Sequence, residues 1–132
     1  MAIKITSSDK LFSQYIRTRD KWTCQRCSKK YEPPTNALHC SHFHTRGKWG
    51  VRFDDENCEA LCYGCHSYLG GNPIEHVEHK INKLGYAKYK KLQQRSHKPL
   101  KSGEKKYFLS KEFRAKLRKK LKKVEEKWLN DK

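Results

Sequence analysis

Apolar residues return every three or four positions in several stretches of this chain, and each stretch predicts a helix. Leu11, Phe12, Tyr15 and Ile16 share one face between Asp9 and Arg19, and Ser8 is placed to cap that helix. Pro73 suits the first turn of another, with Ile74, Val77, Ile81 and Leu84 at helical spacing. Gly85 interrupts the pattern, and Tyr86, Tyr89 and Leu92 take it up again. Ser110 is placed to cap a last helix, where Phe113, Leu117, Leu121, Val124 and Trp128 form an apolar stripe against a strongly basic face. The segment between the first two helices reads differently. Glu32-Pro33-Pro34-Thr35-Asn36 and Asp54-Asp55-Glu56-Asn57 are turn signals, and Ala37 to His44 reads as a short strand. Gly47 and Gly50 mark a loop before a second strand at Val51-Arg52-Phe53. A short helix is expected from about Cys62 to Gly70-Gly71, where two glycines suit a left-handed cap. No internal repeat is visible. A hairpin among helices makes the expected class α+β.

The apolar supply is thin for such a fold. Of 132 residues, 35% are apolar and 34% charged, so the core is small and in want of a staple. Cys24-Gln25-Arg26-Cys27 and Cys62-Tyr63-Gly64-Cys65 provide one, as two Cys-x-x-Cys knuckles 34 residues apart. Each knuckle offers two corners of a tetrahedron, and the pair closes a structural Zn²⁺ site. The start, Met1 to Thr6, lacks the apolar core of a secretory signal. A cytoplasmic chain, in a bacterial host cell, is therefore expected, and reduced thiols favour metal over disulfides. Cys40 and Cys58 remain as small buried thiols, with a second zinc, or an exchange of Cys58 for a knuckle cysteine, as the rival reading.

Charge divides the chain. Lys and Arg number 31 against 14 Asp and Glu, a formal net charge of +17. Residues 1–70 carry net +4 and residues 71–132 net +13. The balance calls for a polyanionic partner, and no stretch approaches the ~20 apolar residues of a membrane span. The expected organisation is a zinc-stapled domain over 1–95, a linker over 96–106 with Pro99 and Gly103, and a basic amphipathic helix over 107–132. Arg114, Lys116, Arg118, Lys119, Lys120, Lys122 and Lys123 are the candidate backbone contacts on that helix. Arg46, Lys48 and Arg52 are candidates in the loop and second strand. The stripe must be buried on the core, on a second copy, or on another protein, and oligomeric state is not legible.

The stretch between the knuckles carries the chemistry. Leu38-His39-Cys40-Ser41-His42-Phe43-His44, then Asn57, then Cys62-x-x-Cys65-His66 resembles the HNH (ββα-metal, His-Me finger) nucleases. Phe12 to Asp20, Cys40-Ser41-His42-Phe43 and Arg52-Phe53 before the Asn sharpen this to the phage recombination nucleases of the NinG (Rap) type, and more distantly to the Ref nuclease. The resemblance covers roughly residues 10–95. It implies a ββα-metal finger that hydrolyses DNA phosphodiester bonds and leaves a 5′ phosphate. By resemblance, His42 is the general base, Asn57 orients it across the hairpin, and His66 binds Mg²⁺ or another divalent cation. The family's second metal ligand precedes the base, and here that position is Ser41, a poor ligand. His44, two positions beyond His42 on the same strand face, is the first substitute, and His39 the second.

If the likeness to NinG extends to substrate, branched junctions are preferred; if it extends to Ref, a recombinase filament is needed. Tyr86 and Tyr89, otherwise core packing, are placed to stack on unpaired bases of single-stranded DNA if exposed. The rival readings are a noncatalytic zinc-stabilised DNA-binding module and a homing or restriction HNH nuclease. His76, His79 and His97 are read as solvated.

Overall fold

A computed structural model describes residues 3–132; Met1 and Ala2 of the opening segment lie outside them. The order is α1 (Ser7–Arg19), β1 (Leu38–His42), β2 (Cys58–Cys62), α2 (Tyr63–Gly70), α3 (Pro73–Leu84), α4 (Tyr86–Ser96), α5 (Glu104–Phe108) and α6 (Lys111–Asn130). The class is α+β. β1 and β2 form an antiparallel pair with Leu38 opposite Cys62 and His42 opposite Cys58. α2 starts directly after β2, capped by the Cys62 sulfur, which accepts from the Cys65 N–H.

Several expected boundaries move. The cap of α1 is Thr6, not Ser8: the Thr6 side chain accepts from the Asp9 N–H while the Asp9 carboxylate accepts from the Thr6 N–H. Ser8 instead donates to the Phe108 carbonyl. The second strand is Cys58–Cys62, not Val51-Arg52-Phe53, because a single-turn helix at Trp49–Val51 and another at Asp55–Asn57 occupy the approach. Within the expected linker, Glu104 accepts from the Lys101 N–H and starts α5.

The core has two centres. Phe12, Tyr15 and Ile16 of α1 meet Leu117 and Leu121 of α6, with Phe53, Phe113 and Val124 at the margin and Cys40 and Cys58 beneath. The stripe of α6 is thus buried along α1, with the Ser110 hydroxyl accepting from the Phe113 N–H at its start. Such a cap contributes about 1 kcal/mol. The second centre gathers Trp22, Cys24, Leu38, Leu61, Cys65 and Leu69 around the knuckles, with Trp128 packed against it.

Arg52 is the largest correction. Expected at phosphate, it is 2% exposed and donates two hydrogen bonds to Asp9, at 3.0 and 2.6 Å, and one to the Lys4 carbonyl. Its guanidinium lies over the Trp49 ring at 4.2 Å. Sequence shows an arginine in a basic chain; it does not show a carboxylate 43 positions upstream closing on it. Arg52→Ala is expected to cost about 3–5 kcal/mol of unfolding free energy, since it strands the buried Asp9 charge. Denaturant titration checks this, and Asp9→Ala added to Arg52→Ala should recover part of the loss.

Candidate active site

The knuckles come from the turn after α1 and from the β2–α2 junction. Sγ atoms of Cys24, Cys27, Cys62 and Cys65 all lie within 4.8 Å of one another. The Cys27 and Cys62 sulfurs are 3.8 Å apart, which is about the edge of a tetrahedron with 2.3 Å metal–sulfur bonds. Burial pushes the Cys24 thiol up, but hydrogen bonds from the backbone of Cys27, Cys62 and Arg26 outweigh it and hold it down to about 7. The donor set fits a structural zinc ion.

That cluster sets the start of α2, where His66 follows Cys65. His66 Nδ1 is 3.0 Å from His39 Nδ1, with the rings nearly perpendicular. Two imidazole nitrogens bound at right angles to one ion, each about 2.1 Å away, stand about 3.0 Å apart. The pair can hold one divalent cation. Burial, and then the charge of His39, push the His66 pKa down, which favours the neutral ligand form.

The expected partner, His44, is elsewhere. β1 ends at His42, so strand alternation does not reach it; its backbone is pinned to Asn57 and its Nε2–H donates to Gln93 of α4. His39, the second choice, is the histidine at His66. Ser41 is buried opposite Glu59 and lines no part of the cleft described next.

His42 donates its Nε2–H to the Arg52 carbonyl at 3.0 Å. In the neutral ring this leaves Nδ1 with the lone pair, and Nδ1 is buried with no hydrogen-bond partner among the described residues. Burial, then the Arg46 cation, push the His42 pKa down to about 4. The Asn57 side chain hydrogen-bonds to His44 and Val51 and not to His42, contrary to expectation. Its Oδ1 accepts from the His44 N–H, and its Nδ2 donates to the carbonyls of His44 and Val51. Asn57 therefore ties His44 to Val51, clamping the loop that leads to the Arg52 carbonyl.

His39, Cys40 and His66 line a cleft of about 490 Å³ with Lys10 and Arg17 of α1 and with Arg46. His42, Cys40, Arg46 and His66 line the adjoining hollow of about 280 Å³. Among the described residues Arg46 Nε has no hydrogen-bond partner, though Asp9 lies 3.7 Å away. Lys10 and Arg17 escape sequence reading, because a helix read for its core shows only its apolar residues.

Of the other candidates, Lys48, Lys116, Arg118, Lys119, Lys122 and Lys123 are exposed. Lys120 pairs with Asp55 at 3.1 Å, and Arg114 is half-buried and donates to the Leu109 carbonyl. His79, read as solvated, is half-buried against Glu59, and His76 packs on Phe43.

Known proteins bear on this arrangement. A "Probable HNH endonuclease" of Lactococcus phage SK1 is 33% identical over 57 residues, covering 40% of this chain. The match spans 58% of that protein's length. No solved structure matches. Among the described residues no helix is long and apolar enough to cross a membrane. The family model of the bacteriophage lambda NinG protein matches residues 4–127, and the chain belongs to the NinG family.

Proposed function

We propose that this protein is a metal-dependent DNA endonuclease of the ββα-metal kind, with β1, β2 and α2 as the finger and a structural zinc at the four knuckle cysteines. The observation that carries the reading is the fixed tautomer of His42. Its Nε2–H is held by the Arg52 carbonyl, so the lone pair stands on Nδ1, a buried atom with no partner among the described residues, and His42 lines the hollow that His66 also lines. His42 accepts a proton from the attacking water as general base. His39 and His66 hold a divalent cation such as Mg²⁺, which when bound offsets negative charge developing on the phosphate. Asn57 positions His42 through the loop. Arg46, Lys10 and Arg17 receive the DNA backbone. Phage recombination or DNA processing is the setting, with branched DNA as the substrate.

His66→Ala and His39→Ala are each expected to lower Mg²⁺- or Mn²⁺-supported nicking of supercoiled plasmid by at least about 100-fold, with DNA affinity nearly unchanged. Equal loss of binding and cleavage in His66→Ala would make that residue structural. Full activity in His39→Ala would put the second ligand elsewhere.

The exposed cations of α6 form the second part of the DNA surface. Replacing Lys116, Lys119 and Lys123 with Glu should weaken DNA binding, and the slope of log K against log salt should shrink by about 0.9 for each phosphate no longer neutralised. These residues are exposed, so the fold survives their replacement. Removing residues 107–132 would instead strip Leu117 and Leu121 from the core. An unchanged slope assigns α6 to packing alone.

A further inference from the structure

Two thiols remain once the knuckles are placed. Cys40 on β1 and Cys58 at the start of β2 lie within 4.8 Å of each other and of a ring nitrogen of His42. The four knuckle thiols meet the same limit. Cys58 is fully buried, and Cys40 is nearly so but borders both hollows of the cleft. His42 Nε2 is engaged by the Arg52 carbonyl, so the nitrogen left to ligate is Nδ1, which is buried and has no partner among the described residues. A buried polar atom without a partner is rare enough to require a cause.

We infer that Cys40 Sγ, Cys58 Sγ and His42 Nδ1 form a second, soft-metal site, open to a thiophilic divalent ion such as Zn²⁺ or Cd²⁺, and that its occupation silences His42. The silencing rests on His42 being the base; the site does not. Two sulfurs and one imidazole nitrogen are a donor set that selects zinc or cadmium over Mg²⁺, which prefers oxygen. The ion enters from the cleft beside Cys40, and the two thiol protons leave to solvent. Three protein ligands leave the fourth tetrahedral position to water. Bound there, the ion takes the lone pair that would otherwise accept the proton of the attacking water. The same metal is then a staple at the knuckles and an inhibitor at the hairpin.

The test uses the full chain, equilibrated with excess Zn²⁺ and freed of unbound metal. Wild type should carry one zinc more per chain than Cys58→Ala. Co²⁺ added to metal-free protein should raise its thiolate-to-metal absorption in two steps, the second absent from the variant. Mg²⁺-supported plasmid nicking by wild type should fall at least tenfold as the extra zinc binds, while Cys58→Ala keeps its rate at the same zinc concentration. The variant retains His39 and His66, so zinc exchange there affects both proteins alike. Should Cys58→Ala fail to fold, Cys40→Ser gives the same comparison of zinc content. Equal zinc in wild type and variant overturns the site. An extra zinc with undiminished nicking overturns the silencing, and with it the role of His42. Metal content is read without cleavage, so the two failures are distinct.

Discussion

His42→Ala should lower metal-dependent DNA cleavage by about 10²–10⁴-fold, the range a positioned general base contributes. Binding should stay close to wild type, because His42 is half-buried and the cations of the cleft, Lys10, Arg17 and Arg46, are untouched. The assay is nicking of supercoiled plasmid and resolution of a labelled four-way junction at saturating Mg²⁺ or Mn²⁺. Zinc content and melting temperature serve as controls, since the substitution also frees the Arg52 carbonyl. A direction in pH follows as well. Burial and Arg46 hold the His42 pKa down to about 4, so its neutral form dominates at every pH well above that. Protonation of His42 should depress the rate only as pH falls toward 4, and not through the 6–7 range of an ordinary imidazole. If wild type binds both DNAs but cuts neither, and a recombinase filament changes nothing, the protein is a zinc-stabilised binding module.

Asn57 reaches the same histidine by a different route. Acting on the loop and not on the ring, Asn57→Ala should let His42 drift, lowering the rate constant while metal and DNA binding persist. An asparagine bonded directly to His42 would instead have fixed its tautomer, a task the Arg52 carbonyl performs.

What is readable in the sequence is local. Cys-x-x-Cys spacing is a demand of the metal on one turn of chain, so both knuckles are visible without the fold. The α6 stripe and the Ser110 cap obey a helix's own period, and they stand where the pattern puts them. The unreadable parts depend on distant partners. Arg52 looks like a phosphate ligand because nothing nearby announces Asp9. His44 looks like a metal ligand only while alternation is carried past the end of β1, where the Phe43 N–H bonds to the Asn57 carbonyl and the chain departs from strand geometry. Gln93, which accepts from His44, lies 49 positions away. The α1 cations go unseen for a simpler reason: a helix read for its apolar face yields no cleft.

Loss of zinc should have the largest effect of all. Structural zinc sites of this donor type bind with an apparent ~10–16 kcal/mol, while whole domains are stable by only ~5–15 kcal/mol. Chelation, or Cys27→Ser at the most exposed knuckle sulfur, should therefore unfold the hairpin and α2. The loss should not be uniform. The centre around Trp22, Leu38, Leu61 and Leu69 is built on the knuckle cysteines themselves, whereas Phe12, Tyr15, Ile16, Leu117 and Leu121 pair α1 with α6 and include no knuckle thiol. Circular dichroism should keep part of its helical signal after chelation, while the fluorescence of Trp22 and Trp128, both in the knuckle centre, shifts toward that of exposed tryptophan. Cleavage should vanish under the same treatment even with Mg²⁺ in excess, because His66 starts from the segment that Cys62 and Cys65 anchor. Restoring one equivalent of zinc should return both signals. Unchanged fluorescence in the zinc-free protein would mean that packing alone holds His39 and His66 together, and that the four thiols are not what keeps this small core in place.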